Sequence, residues 1–444
     1  MKDEIVRKVR EAGVVGAGGA GFPTHVKLQA EVDVVLANGA SCEPLLMSDP
    51  YLLEHEADAV LEGLRLAMAA VGASRGIVCL KGKHGGAMSV LRRKTSGSDQ
   101  APAVFELGDF YPAGDEHVLV HEVLGRTIPQ GGLPLQVGVV VSNVESLFNV
   151  ARAWRDQPVT ERYLTVTGAV AEPIIVKAPV GMSAGEIIDL AGGPTIRDYR
   201  IVAGGPMMGR VLDHPNRPIT KLTSGLIVLP ADHNVVAGKI KDPAVIAKIT
   251  KLACCQCTLC TELCPRYLLG HALRPHQIMR GLNALPGQDL EAMKEALLCS
   301  ECGICEKFAC PMMISPREVN ARLKKELSAQ GFRPPAGVGS PRPSSLRPTR
   351  YIPTQRLTDR LDLTRYARHP RYVELTTPPA RVSILLRQHL GAPARPVVKV
   401  GDLVKKGDLL GEPPEKALGA RIHAGLEGRV SEVSAEMVVI DRDR

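Results

Sequence analysis

The chain has 444 residues, with 55 lysines and arginines against 47 aspartates and glutamates and only 3% aromatic residues. That length suggests about three domains of ~150 residues each, and a net charge of +8 is too mild to mark a nucleic-acid binder. No run approaches the ~20 apolar residues of a membrane span, and Met1-Lys2-Asp3-Glu4 starts no signal peptide, so a cytoplasmic protein without a transmembrane segment is expected.

Residues Lys2 to Glu11 read as a short helix with Ile5, Val6 and Val9 on one side. The loop that follows, Gly13 to Lys27, holds Gly16, Gly18 and Gly21 in a G-x-G-x-x-G pattern. A dinucleotide fingerprint needs a strand before it and a helix after it. Here a helix precedes and Phe22-Pro23 follows, so that reading fails. Glycines this dense still describe a backbone that must approach something closely, and bare N–H groups followed by Lys27 suit a phosphate. Val32 to Ala37 reads as a buried strand ending in the polar loop Asn38 to Pro44, at the strand edge where α/β proteins place ligands. Asp49-Pro50 is expected to cap one helix reaching Val71. Gly76 to Leu80 forms the next strand, with Cys79 in its core, and Gly85-Gly86 opens another helix. Tyr111 to Glu116 and Val139 to Ser146 supply a further loop and strand.

From Tyr163 to Leu229 the chain alternates like strands, with one short helix near Ser183 to Ala191 and a turn at Gly204 to Gly209. Met207 and Met208 in that turn are expected to fill core. Asp242-Pro243 opens a helix leading into the cysteines.

Nine of the eleven cysteines lie between Cys254 and Cys310, eight of them in two spaced runs. Cys254, Cys257, Cys260 and Cys264-Pro265 have the C-x2-C-x2-C-x3-C-P spacing of bacterial 4Fe-4S ferredoxins, which leaves Cys255 spare. Cys299, Cys302 and Cys305 repeat the triple, but four residues precede Cys310-Pro311. Structural zinc takes two separated pairs and has no use for a third cysteine at this spacing plus a remote Cys-Pro. A disulfide framework does not suit a long chain without a signal peptide. In two-cluster ferredoxins the fourth cysteine of each run ligates the other cluster. That rule groups Cys254, Cys257, Cys260 and Cys310 as one set and Cys299, Cys302, Cys305 and Cys264 as the other. Between the runs, Gln288 to Leu298 is rich in helix formers. After them, Ser315-Pro316-Arg317-Glu318 reads as a capping box, with Gly331 closing its helix. Arg333 to Arg371 carries nine arginines against Asp359 and Asp362 and reads mainly as a solvated linker, with docking of an acidic partner the second reading and nucleic acid the third; within it, Gly331 to Thr354 is expected to be stiff and exposed. Val397 to Gly411 and Ile422 to Val430 look like two halves of a biotinyl/lipoyl-type barrel sandwich, without a lysine in an attachment setting; Lys416 is expected at the surface.

Gly16 to Lys27, the Asn38 to Pro44 loop, Gly114 to Glu116 and Asn143-Val144-Glu145 together resemble the NADH-binding flavoprotein subunit of respiratory complex I and its relatives, RnfC and the PduS-type cobalamin reductases. The order of domains favours the PduS type, in which the flavin domain comes first and the barrel last, and the x4 spacing before Cys310 is similar too. The resemblance implies a multidomain α/β and α+β protein. Its parts would be a complex I flavoprotein-like α/β FMN/NADH domain (1–160), a β-grasp SLBB domain (161–235), an α-helical dicluster 4Fe-4S domain (236–332), a linker (333–375) and a barrel-sandwich hybrid (376–444). It implies FMN near Gly16, Gly18, Gly19 and Lys27, with polar contacts from Asn38, Gly114 and Asn143 and Phe22 as a stacking surface; Glu43 and Glu116 would border the nicotinamide as catalytic orienters. The eight paired-run cysteines would hold two 4Fe-4S clusters. NADH would be the electron donor and a corrinoid the acceptor, free or on a corrinoid-dependent enzyme or other redox partner protein. A microcompartment shell or a membrane periphery is a further setting that the resemblance implies. Against the complex I pattern, Ala17, Ala40, Ser41 and Ser142 replace an arginine, an aspartate, a glutamate and an asparagine. The alternative implied is an RnfC- or PrdC-like relay or docking subunit that does not itself oxidise NADH.

Overall fold

The computed structural model describes residues 1–97, 101–282, 290–335 and 341–443. Strands β1 (Val34–Gly39), β2 (Arg75–Lys81), β3 (Ala103–Leu107) and, after the two-residue β4 (Phe110–Tyr111), β5 (Val139–Asn143) build a parallel sheet ordered β3-β2-β1-β5. The run Val34-Val35-Leu36-Ala37 is apolar throughout because both faces are covered: Val35 and Ala37 enter one core, Val34 and Leu36 the other. The helices Lys2–Glu11, Ala57–Val71 and Val144–Trp154 cover the first face. Two of them touch so closely that a Cβ on Gly63 would run into the carbonyl oxygen of Leu147. Side chains such as Leu64 and Leu147, fully buried there, each contribute ~1.5–3 kcal/mol.

One continuous helix from Asp49 to Val71 is not what forms. Ser48–His55 and Ala57–Val71 are separate, and the break falls at Glu56, whose carboxylate accepts the Tyr163 hydroxyl at 2.9 Å. Asp49 caps nothing; its carboxylate accepts from Asn143 instead.

The second sheet contains β6 (Glu161–Gly168), β7 (Ile174–Pro179), β8 (Tyr199–Ala203), β9 (Arg210–Val211) and β10 (Gly225–Pro230). A capping box between Ser183 and Glu186 starts the helix Ala184–Asp189 beside it. The cysteine segment is a cluster of short helices, from Pro243–Ala253, capped by Asp242, to Pro316–Ala329. The helix expected over 288–298 runs from Leu290 to Lys294 and tightens to a 3₁₀ turn over Glu295–Leu298, while Gln288 and Asp289 lie outside the described residues. The capping box at Ser315 does not form: Glu318 pairs with Arg317, and the Ser315 side chain makes no cap bond.

Residues 341–373 correct the linker expectation. After the sheet β11 (Ile352–Pro353) makes with β4, the helix Thr354–Arg360 buries Leu357, and β12 (Arg371–Val373) adds a parallel edge strand to β7. The second sheet therefore has the order β12-β7-β6-β10-β8-β9. Arginines had masked the apolar set Leu357, Leu361, Leu363 and Tyr366, all of which pack into the second core. Lys81, whose side chain is fully buried, fixes this strap by donating to Thr354 Oγ1 at 2.7 Å and pairing with Asp109 at 3.1 Å.

The C-terminal part is two small antiparallel sheets. Strands β13 (Arg381–Leu385), β15 (Leu403–Val404), β18 (Gly428–Val433) and β19 (Met437–Asp441) form one, and β14 (Arg395–Pro396), β16 (Leu409–Glu412) and β17 (Ile422–His423) the other. They close on Val382, Ile384, Leu410, Ile422 and Val430. The Lys221 ammonium, donating to the carbonyls of Gly13 at 2.7 Å and Arg421 at 2.8 Å, joins this part to the first two.

Candidate cofactor sites

The glycine loop is pinned at its base and open at its tip. Val15 bridges Pro23, and the Gly16 N–H donates to the Phe22 carbonyl at 2.9 Å. Gly18 and Gly19 are exposed; Gly19 sits at φ +112 with nothing within 4 Å of where a Cβ would be, and Gly18 faces Asn143. A left-handed backbone under open space is a cradle that a side chain would fill. Register places Asn38 and Asn143 side by side at the carboxyl ends of β1 and β5. Asn38 donates to the Gly114 carbonyl at 2.9 Å; Asn143 accepts the Glu145 N–H at 2.9 Å, starting the next helix. The Lys27 ammonium donates to the Val141 carbonyl at 2.7 Å and lies 3.3 Å from Glu116. Gly18, Gly19, Lys27, Asn38, Gly114, Glu116 and Asn143 thus share one rim. Phe22 is half-buried and enters this geometry through its carbonyl. The donors and the open tip fit a phosphate-bearing flavin.

Glu43, expected next to Glu116, is engaged elsewhere. Its carboxylate accepts the N–H groups of Met207 and Met208, both at 2.8 Å, and a Cβ on Gly205 would run into it. Burial raises its pKa, which these bonds and Lys239 oppose. Ser41 is held too, at φ 42 with its hydroxyl on the Leu46 carbonyl. Met207 is fully buried as expected, but Met208 is half exposed.

The cysteines surround two hollows. Cys264, Cys299, Cys302 and Cys305 line one, together with Arg317 and Asn320. Cys254, Cys257, Cys260 and Cys310 line the other, at which Cys257 is exposed. The last cysteine of each run therefore sits with the other run. Among the described residues no group of three or more His, Cys, Asp or Glu side chains is gathered tightly enough for a single metal ion; four thiols around a void suit a multinuclear cluster. The extra residue before Cys310 is absorbed by one wide π-helical turn over Cys305–Ala309, where the first run has an ordinary helical turn over Leu259–Glu262. Burial pushes the Cys302 and Cys260 thiols up to about 12, so it is cluster formation that would take their protons.

Two contacts join the buried hollow to the flavin rim, and a third joins it to the Glu43 turn. The Tyr111 hydroxyl donates to the Cys302 carbonyl at 2.6 Å. Arg266, two residues past Cys264, pairs with Asp115 at 3.0 Å, and Asp115 also caps the helix Glu116–Leu124. Met207, under the Glu43 clamp, packs on Gly303. Sequence reading missed Tyr111, Arg266 and Asn320. Arg266 directly follows Cys264-Pro265, which was a usable hint; the other two carried none.

Residues 9–152 match the Nuo51 FMN-binding domain family, 163–211 the SLBB domain, 253–315 the 4Fe-4S dicluster domain and 364–443 the RnfC barrel sandwich hybrid domain. Over 99% of its length the chain is 43% identical to cobalamin reductase PduS of Citrobacter freundii, spanning 96% of that protein, and the Salmonella typhimurium PduS is 42% identical over 99% of the chain and 97% of its own length. The chain belongs to the PduS cobalamin reductase family. One component of the Na(+)-translocating ferredoxin:NAD(+) oxidoreductase complex of Acetobacterium woodii is 37% identical over 60% of the chain and 58% of that component. An NAD+-reducing [NiFe]-hydrogenase in the H2-reduced state superposes with a TM-score of 0.50 at 23% identity, over 74% of this chain and 63% of that one, and so shares its fold. For a PduS-family chain, the Tyr111 and Arg266 contacts mark where the FMN-binding domain meets the dicluster domain.

Proposed function

We propose that the chain is a flavo-iron-sulfur reductase that draws electrons from NADH and delivers them to a corrinoid. The observation that carries this reading is the bonding of the buried cysteine hollow to the flavin rim through Tyr111 and the Asp115–Arg266 pair. When bound, FMN and the clusters supply the conversion of a two-electron donor into single electrons. The chain's own residues do the placing. Gly18 and Gly19 open the cradle, Lys27 offers its ammonium to a phosphate, and Asn38, Gly114 and Asn143 fix the rim. Glu116, beside Lys27, is the acidic side chain left at the mouth to orient a nicotinamide. Cys264, Cys299, Cys302 and Cys305 would hold the cluster next to the flavin, and Cys254, Cys257, Cys260 and Cys310 the outer one. The acceptor corrinoid is free or carried by a corrinoid-dependent enzyme, and a microcompartment is the setting that fits. Among the described residues no helix is long and apolar enough to cross a membrane.

A relay without NADH oxidation is the second reading, favoured by the engagement of Glu43 and Ser41 away from the rim. An anaerobic titration of protein reconstituted with FMN and iron-sulfur, following both chromophores, separates the two. NADH is expected to bleach flavin and clusters to the dithionite end point, and the reduced protein to reduce cob(III)alamin or cob(II)alamin. Bleaching by dithionite alone would leave the relay.

A further inference from the structure

The helix Pro243–Ala253 turns Ile246, Thr250 and Ala253 inward and leaves an outer face with no partner among the described residues. Val245, Ile249 and Leu252, four and three residues apart and so stacked along one side, are 48%, 42% and 80% exposed. Lys248 and Lys251 stand among them, with Ile240 and Lys241 exposed just before the helix. The helix runs directly into Cys254. At the opposite lip of the same hollow, Met312 lines the opening and Met313 stands exposed beside it. The outer hollow thus has an apolar lip rimmed by three lysines, against which Asp242 is the one acid in 240–253. Among the described residues no carboxylate lines the hollow.

We infer that this face is a docking surface for an acidic protein carrying the electron acceptor, seated with its own redox group over the outer cysteine set. The inference rests on the reading that the chain moves electrons outward through these cysteines. Apolar contact at the centre and complementary charge at the rim make a transient interface that steers a partner to one orientation. A second copy of this chain does not fit, because a two-fold contact would set the lysines against one another. A lipid surface would suit the same side chains but brings no acceptor to the hollow.

The test uses the reconstituted holoprotein, reduced with stoichiometric dithionite and mixed in stopped flow with acidic cytochrome b5, basic cytochrome c or the small dye dichlorophenolindophenol. Wild type is expected to reduce cytochrome b5 at a rate that falls as salt is raised. The K241E/K248E/K251E variant is expected to lose about tenfold or more of that rate at low salt, to gain on cytochrome c, and to reduce the dye as wild type does. L252E, altering a residue at the open surface, is expected to slow cytochrome b5 without changing the dye rate. An unchanged cytochrome b5 rate in both variants overturns the inference, as does wild type that elutes as a dimer or sediments with anionic phosphatidylglycerol vesicles through this face. A wild-type protein that fails to reduce the dye refutes the electron-transfer reading itself, a different failure.

Discussion

The two cysteine hollows use the same ligand type at nearly the same spacing and sit in opposite environments. Around the inner one, Cys264, Cys299 and Cys305 are buried, and Tyr111, Arg266, Met207 and Asn320 press on it from three parts of the chain. Around the outer one, Cys310 is buried but Cys257 is exposed, as is the spare Cys255, and Gln256 donates to Cys254 at 3.1 Å from the same loop. Ligand spacing specifies that a cluster forms; what surrounds it specifies which end of the path it serves. On the proposed function, the inner hollow would receive electrons and the outer one would release them.

The largest expected effect comes from removing one hollow at a time. Cys302→Ala should leave flavin reducible by NADH while the outer cluster stays oxidised, whereas Cys257→Ala should spare reduction of the inner cluster. Electron paramagnetic resonance of NADH-treated samples decides this, and reversed phenotypes would invert the assignment of inner and outer. Next is the joint itself. Arg266→Met leaves Asp115 without its partner in a pair whose side chains are 11% and 10% exposed, and should cost about 3 kcal/mol, read from chemical denaturation, with slowed flavin-to-cluster transfer. No comparable loss is expected from Lys248→Met on the outer side.

Asn320 gives a finer distinction. It is fully buried, its amide nitrogen lies 3.8 Å from Cys299 Sγ, and its oxygen has no partner among the described residues. Hydrogen bonds to cluster sulfurs set potential, so Asn320→Leu should lower the inner midpoint by tens of millivolts and leave the outer one in place; equal shifts in both would show that the potentials are not set locally. The smallest effect is a pH response. Burial brings the Lys239 ammonium down to about 8, with Glu43 opposing. As pH rises through that value a positive charge beside the Met207 turn disappears, so the inner midpoint should fall while the outer stays flat, and Lys239→Met should abolish the slope. The stability sign runs the other way: between about 8 and the ordinary lysine value the unfolded chain binds more protons, so stability rises with pH in that window.

Local chemistry was legible in the sequence and long-range partnership was not. Cysteine spacing and the glycine loop announce themselves because the residues that cooperate are neighbours in the chain. The orientation of Glu43 depends on N–H groups 164 and 165 residues away, and Tyr111 on a carbonyl 191 residues away; no periodicity encodes either. Ser315 has the right neighbours for a capping box, yet Arg317 takes the glutamate that the box requires. In 341–373 the composition was true and the inference wrong, because arginines on one side of a segment do not prevent leucines on the other from being buried.

The strap across 341–373 also decides where this protein can be cut. β12 shields the outer edge of β7, and Tyr351 lies flat on Phe110 with ring centroids 4.1 Å apart. A fragment ending before the strap would bare a sheet edge and an aromatic face together, the combination that invites strands of other chains to add on. Truncated forms should precipitate rather than survive as smaller working units, so the modules, although recognisable one by one, stay soluble only as a set.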